Sequence, residues 1–157
     1  MTLGEFRFNG QNGHSKIIRI PGGEEVSAPL VWVEDLKLLS LPHTKREQGE
    51  TEEACHRRMI ASHGPADATY FARSEDIRGL YVGVQYYRPS RNGDTLDQRI
   101  PLHSPKVFGL FGKLRDDDSA VQLLINRSRP KDAAGYVWIR DICNQFMVVQ
   151  YYTLRSE

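Results

Sequence analysis

Residues 80–87 read Leu-Tyr-Val-Gly-Val-Gln-Tyr-Tyr, and this stretch is the clearest guide to the fold. Its apolar side chains recur at every second position from Leu80 to Tyr86, which is the period of a β-strand with one face in a core. Residues 146–152 are apolar or aromatic at nearly every position. They predict a central strand that is covered on both faces.

Similar strand patterns occur along most of the chain. Short clusters of Gly, Pro and Asn interrupt it at close intervals, which is typical of a series of small strands. A hairpin is expected where residues 16–20 and 26–33 flank the turn Pro21-Gly22-Gly23, with Pro29 marking a bulge or a strand start. Further strands are predicted over residues 106–114, 120–126 and 135–142.

Residues 44–62 favour a helix, because they contain few β-branched residues and several helix formers. Thr44 and Glu47 have the spacing of a capping box, and Glu53 and Arg57 have the spacing of a helical ion pair. The apolar side of this helix is thin. We therefore expect it to lie across a sheet edge or a barrel mouth.

Together these patterns predict a mainly β protein, with α+β as the marginal reading. The expected architecture is an antiparallel β-sandwich or partly open barrel of eight to ten short strands, with one helix near residues 45–62. Residues 1–157 are expected to form a single domain. No internal repeat with a period of 20–50 residues is apparent.

The charge balance is nearly neutral: 21 Lys and Arg stand against 20 Asp and Glu, for a formal net charge of +1. This excludes a histone-like polycation but allows a local basic patch. The first residues lack the basic and apolar regions of a signal peptide, and no apolar run approaches the ~20 residues of a membrane span. Two cysteines, Cys55 and Cys143, are too few for a disulfide framework. We expect a soluble, intracellular and cytoplasmic protein.

Candidate catalytic and metal-binding side chains do not form a recognisable pattern. His56 and His63 lie two helical turns apart, about 10.5 Å along the axis, which is too far for both to hold one zinc ion. They are expected to be solvated. Asp116-Asp117-Asp118 lacks the alternate spacing of a calcium loop and is expected to form a polar hairpin tip. Because no nucleophile elbow or phosphate-binding loop occurs either, no catalytic residue, metal or cofactor is predicted.

Arginine usage is the most suggestive feature, since 15 of the 21 basic residues are Arg. Arginine binds phosphates and carboxylates bidentately and stacks on rings. Basic loops beside an aromatic-bearing sheet are also how single-stranded nucleic acid is commonly held. The candidate binding residues are Arg88, Arg91, Arg127, Arg129 and Lys131, with Tyr86 and Tyr87 as stacking platforms.

Self-association is also expected. Residues 146–152 carry no charge, and Trp32, Phe108 and Phe111 add apolar surface that a small core has to hide. A homo-oligomer is therefore predicted, in which part of this surface forms a subunit contact.

These observations predict a non-enzymatic binding or assembly module that acts on a protein partner or on itself. Loops 88–97, 113–119 and 127–134 and the self-association surface would make the contacts. RNA or single-stranded nucleic-acid binding is the alternative. A second alternative is a small hydrolase or transferase with a site assembled from separate strands. This enzyme would be favoured by a pocket that holds at least two of the side chains of His43, His56, His103 and Cys143.

Overall fold

A computed structural model describes residues 3–8, 17–20, 24–26, 30–41, 45–76, 78–95, 97–141 and 143–155. These residues contain nine strands and three helices. The strands are β1 (Gly4–Phe8), β2 (Ile17–Ile20), β3 (Glu24–Val26), β4 (Leu30–Ser40), β5 (Tyr70–Glu75), β6 (Tyr81–Pro89), β7 (Arg99–Gly109), β8 (Gly135–Arg140) and β9 (Phe146–Leu154). The helices are α1 (Glu52–Ser62), α2 (Lys113–Asp116) and α3 (Asp118–Arg127). None of these helices is long and apolar enough to cross a membrane.

The strands form two sheets. One has the order β3-β2-β1-β5-β6-β4, and the other has the order β7-β9-β8. Strands β1 and β5 pair in parallel, and the other described pairs are antiparallel. The sheets meet face to face where β6 crosses β9, because the missing side chain of Gly83 admits the methyl groups of Val148. The mainly β fold class and the sandwich are therefore confirmed.

The two strands with the clearest sequence patterns are where those patterns predicted them. β6 covers residues 81–89, and its interior side chains are buried. β9 lies between β7 and β8 and is buried from Phe146 to Tyr151, as expected for a doubly covered central strand. β2 pairs antiparallel with β3, with Ile17 opposite Val26, so a hairpin is present, but the second strand predicted over residues 26–33 is wrong: β3 ends at Val26, and residues 30–33 belong to β4, which pairs with β6. Pro29 and the turn at residues 21–23 lie outside the described residues.

The strand predicted over residues 120–126 is wrong, because this segment belongs to α3. Val121, Leu124 and Ile125 follow helical spacing, and Val121 and Ile125 are fully buried against the smaller sheet. Leu123 also fits an alternating pattern, but its side chain is exposed. An apolar run this short fits the period of a strand and that of a helix, and the packing against the sheet decides between the two structures.

The predictions for residues 106–118 also need correction. β7 begins at Arg99 and ends at Gly109, and α2 follows it. The Asp116–Asp118 run is not a hairpin tip. Asp117 caps α3, since its Oδ1 accepts hydrogen bonds from the backbone N–H groups of Ser119 (2.9 Å) and Ala120 (3.3 Å).

α1 is the expected helix, although it begins later than the capping-box pattern predicted. Thr51 is its N-cap and accepts a hydrogen bond from the backbone N–H of Ala54 at 3.1 Å. Thr44 lies outside the described residues. The predicted ion pair between Glu53 and Arg57 is present at 3.3 Å. The helix packs Ile60 onto the face of the larger sheet, rather than lying across a sheet edge.

The chain contains one structural unit twice. The order β4-α1-β5-β6 recurs as β7-α2-α3-β8-β9, in which α3 takes the place of α1 and the short α2 precedes it, and both units have the same strand register. In the first unit the register shifts between the pairs Val33–Tyr86 and Lys37–Val84. In the second it shifts between Leu102–Tyr151 and Lys106–Val149. Both long strands therefore carry a bulge at the same point.

The same hydrogen bonds occur within each of the two units. The Tyr86 hydroxyl donates to the backbone carbonyl of Ile60, and the Tyr151 hydroxyl donates to that of Ile125. Asp76 accepts hydrogen bonds from two backbone N–H groups at the start of β6, and Asp141 does the same at the start of β9. Residues 70–89 align without a gap onto residues 135–154, and six of the 20 positions are identical. The repeat of 65 residues is longer than the 20–50-residue periods typical of repeat proteins.

The two units are related by an approximate two-fold axis. Gly83 and Val148 are equivalent positions, and they face each other where β6 crosses β9. β4 lies against β8, and the equivalent strands β7 and β5 also lie against each other. An arrangement in which each element contacts the equivalent of its own partner is the signature of a two-fold interface.

Candidate binding site

The N-terminal strand breaks the two-fold symmetry. β1 pairs in parallel with the outer edge of β5, with Gly4 opposite Tyr70 and Glu5 opposite Phe71. It also lies beside β7. The equivalent position in the second unit is the outer edge of β8, and no described strand pairs with that edge. An open strand edge presents unpaired backbone groups that another extended segment can bind.

Glu5 anchors β1 through buried charges. Its carboxylate accepts a hydrogen bond from Arg57 at 2.6 Å and one from Arg73 at 2.9 Å. The side chains of Glu5 and Arg73 are 10% and 12% exposed. Arg73 also contacts Glu53 on α1. The space between β5 and α1 is therefore built for an acidic side chain.

The equivalent positions in the second unit carry different chemistry. Gln122 stands at the position of Arg57, and Trp138 stands at that of Arg73. Arg140 provides a charge nearby, but its guanidinium donates to Asp118 at 2.6 Å and lies over the Trp138 ring at 5.1 Å. An acidic side chain between β8 and α3 would therefore meet one arginine that Asp118 already engages, in place of the two arginines that hold Glu5.

A cavity of about 270 Å³ lies between β4 and β8, on the side equivalent to the one where β1 lies beside β7. Trp32 of β4 and Arg99 of β7 contribute to it. The lining residues are Trp32, Leu36, Gln85, Arg99, Val137, Trp138 and Ile139.

Trp32 and Arg99 give this cavity an aromatic and polar wall. The Arg99 guanidinium lies 4.3 Å from the centre of the Trp32 ring and pairs with Asp97 at 2.9 Å. Burial raises the pKa of Asp97, but the hydrogen bonds from Arg99 outweigh it and hold that pKa below its usual range. Trp32 Nε1 is buried and has no hydrogen-bond partner among the described residues.

Arg88 and Arg91 do not form a free basic patch. The Arg88 side chain is only 13% exposed, and it binds Asp94 with two hydrogen bonds, of 2.7 and 3.0 Å. Those bonds hold the pKa of Asp94 at about 2. Arg91 is exposed and lies 3.6 Å from Asp67. Arg88 therefore organises the loop after β6, and Arg91 stands at its surface.

The stacking role predicted for Tyr86 and Tyr87 is incompatible with their burial. Neither side chain has measurable exposure. The Tyr86 hydroxyl binds α1, and the Tyr87 ring packs edge-on against Trp32 at 5.8 Å between centroids. Both rings belong to the core because β6 is covered on both faces, which the alternation of residues 80–87 did not predict.

Arg127, Arg129 and Lys131 are exposed at the end of α3 and in the loop that follows it. Among the described residues, no ion pair involves them. They remain candidate binding residues. The structure provides no contact that joins them to Arg88 or Arg91.

None of the described histidines and cysteines lines the cavity between β4 and β8. His56 is buried rather than solvated, and it lies between Glu52 (3.9 Å) and Glu75 (3.7 Å). His63 ends α1 and is exposed. His103 lies in the β7 bulge, where burial lowers its pKa, and Cys143 is exposed. No group of three potential metal ligands occurs in the part of the chain that the structure describes, and His43 lies outside it.

Comparison with known protein families, curated proteins and solved structures finds no match to this chain. The chemistry of the site itself therefore has to indicate the function. Four of its residues were not predicted from the sequence: Trp32, Arg99, Gln122 and Trp138. A self-alignment at an offset of 65 residues would have found the repeat, and through it the positions at which the two units differ.

Proposed function

We propose that the protein is a non-enzymatic binding module that takes a partner protein in the space between β4 and β8. One observation carries the proposal. The equivalent space between β7 and β5 is covered by β1, whereas this one is a cavity bounded by Trp32 and Arg99. The two units share a fold, so the place where they differ is the best candidate for function.

The chemistry of the cavity supports a protein ligand. Tryptophan and arginine are enriched among the residues that dominate the energetics of protein interfaces. The volume of about 270 Å³ is just below the ~300 Å³ at which small-molecule pockets usually begin. It suits one or two side chains better than a nucleotide or an organic cofactor.

A random peptide library displayed on phage tests this proposal. Peptides selected on the wild-type protein should lose at least about tenfold in affinity for Ile139→Phe, because the larger side chain fills the cavity and excludes the buried group. They should bind Arg127→Ala/Arg129→Ala normally, since these exposed residues do not line the cavity. Thermal melts of both variants establish that they fold. Equal binding to wild type and Ile139→Phe would contradict the proposed site.

Nucleic-acid binding remains the second candidate, and the exposure of Arg127, Arg129 and Lys131 favours it. The burial of Tyr86 and Tyr87 removes the stacking platforms that it relied on. Binding of a single-stranded RNA 12-mer measured by fluorescence anisotropy separates the candidates. Affinity that falls steeply with salt and is lost in Arg127→Ala/Arg129→Ala would favour nucleic acid.

Self-association stays a proposal as well. Phe111, Leu123 and Leu154 are large apolar side chains that are more than half exposed. Light scattering on the purified protein measures the mass directly. The proposed hydrolase or transferase has less support, because no described histidine or cysteine lines the cavity between β4 and β8.

A further inference from the structure

We propose that the outer edge of β8 binds an extended segment of the partner as an added parallel strand, with an uncharged side chain between Trp138 and Gln122. This inference rests on the proposed function and names the form of the partner. The molecule itself contains the precedent, because β1 is added in parallel to β5, the equivalent strand. Addition of a strand to an open sheet edge is a common mode of peptide recognition.

The two-fold relation gives the register of the added strand. Gly4 lies opposite Tyr70, which is equivalent to Gly135, and Glu5 lies opposite Phe71, which is equivalent to Tyr136. The partner residue opposite Tyr136 therefore takes the place of Glu5. On β8, Tyr136 and Trp138 pack with the α3 face of the smaller sheet, so that partner residue also faces α3.

The residues around that position select an uncharged side chain. Glu5 is held by Arg57 and Arg73, whereas its counterpart would meet Gln122 and Trp138. The cation near this position is Arg140, which Asp118 already engages, so burial of an acidic group there is less favourable than burial of Glu5 between two arginines. On α3 this position adjoins a shallow, open surface formed by Asp118, Ser119, Gln122, Leu123 and Asn126. Leu123 is 62% exposed there and offers an apolar surface.

The added strand would also cover the cavity between the sheets. β1 lies beside β7, and the equivalent of β7 is β4, which contributes Trp32 and Leu36 to the cavity. Side chains alternate between the two faces of a strand. The partner residues next to the one that faces α3 would therefore face Trp32 and Arg99. One extended segment would thus contact both the surface of α3 and the cavity.

Two hexapeptides derived from β1 test the inference on the full chain. One has the sequence of residues 3–8, Leu-Gly-Glu-Phe-Arg-Phe, and the other carries Glu5→Leu. Both are acetylated and amidated so that terminal charges do not contribute. We expect the Glu5→Leu peptide to bind wild-type protein at least about tenfold more tightly, since charged groups that lose a partner on burial cost this much or more. In an NMR titration with either peptide, the backbone amide signals of β8 should shift.

A specificity swap provides the decisive comparison. Gln122→Arg/Trp138→Arg restores the two arginines of the first unit, and it should reverse the preference toward the glutamate peptide. Lys45→Ala serves as the control and should keep the wild-type preference, since Lys45 is exposed and belongs to neither β8 nor α3. A spin label at the peptide C-terminus should broaden signals near Arg140 for a parallel strand. Broadening near Gly135 would indicate an antiparallel one and overturn the stated direction.

The outcomes separate this inference from the proposed function. If library peptides bind in a manner sensitive to Ile139→Phe but neither hexapeptide shifts β8, the binding module stands and strand addition is wrong. If no peptide of either kind binds, both fail. If the shifts are confined to β5, the peptides exchange with β1 and the inference is overturned. If the peptides bind β8 but the double variant does not reverse the preference between them, Gln122 and Trp138 do not select the uncharged side chain.

Discussion

The contact between Gly83 and Val148 shows how a single residue sets the distance between the sheets. A Cβ at Gly83 would overlap Val148 Cγ2, and it would also crowd the side chain of Val107. Val148 itself is fully buried. The glycine is therefore required by packing between the sheets, and its backbone conformation places no demand on it.

Gly83→Ala should lower the free energy of unfolding by about 1–3 kcal/mol, the usual range for an overpacked core. Urea denaturation measures this change. Val148→Ala removes the methyl group that the new Cβ would meet, so the double variant should be more stable than the sum of the two single effects by at least about 0.5 kcal/mol. Simple additivity would show that the two positions do not meet.

At the scale of elements, the loop after β6 is held by charges. Asp94 accepts two hydrogen bonds from Arg88 and one from the backbone N–H of Arg91 at 2.6 Å. The bonds from Arg88 are the main reason that the pKa of Asp94 falls from its usual 3.8 to about 2. A carboxylate with a lowered pKa stabilises the folded state above its unfolded pKa, and this stabilisation is lost as the pH falls through the folded value.

The stability of the protein should therefore decline between about pH 4 and pH 2 in part through Asp94. Asp94→Asn should be less stable at neutral pH and should show a smaller decline over that window. Urea denaturation at a series of pH values measures both effects. Asp132→Asn is the matched control, because Asp132 is an exposed carboxylate with no ion pair among the described residues. An unchanged pH profile for Asp94→Asn would contradict the assignment.

The helices and strands also show where sequence patterns were sufficient to predict secondary structure. Residues 81–89 and 146–154 form strands as predicted, because long alternating or continuous β-branched and aromatic runs have no competing period. Residues 118–127 form a helix instead of a strand. Sequence patterns were not sufficient here, because Val121, Leu123 and Ile125 satisfy a strand pattern while Val121, Leu124 and Ile125 satisfy a helical one. The N-cap of Asp117 and the burial of Ile125 decide for the helix.

At the scale of the molecule, each of the two similar units has its own hydrophobic cluster, and a third cluster, in which Trp32 and Tyr87 pack with Val137 and Tyr152, joins them. β6 and β9 are the most buried strands, and they cross at the approximate two-fold axis. Neither unit covers both faces of its sheet without the other. The contact between the units therefore belongs to the hydrophobic core, and the two units should unfold together.

Single-tryptophan variants test this cooperativity, because Trp32 belongs to the first unit and Trp138 to the second. In Trp138→Phe the fluorescence reports on Trp32, and in Trp32→Phe it reports on Trp138. In each variant the midpoint of denaturation by fluorescence should coincide with the midpoint by far-UV circular dichroism. Two separated transitions would show that the units fold independently.

The sequence by itself determined the β-rich class, the central strands and α1, because these depend on local period and capping. It also identified the basic residues, although it misjudged what surrounds them: Arg88 is neutralised by Asp94 and Tyr86 is buried. Only the tertiary structure showed that β1 covers one sheet edge while the equivalent edge of β8 is open among the described strands. The candidate site joins Trp32, Arg99, Gln122 and Trp138 from four separate elements. Their proximity results from the packing of the two sheets, which no local pattern of residues encodes.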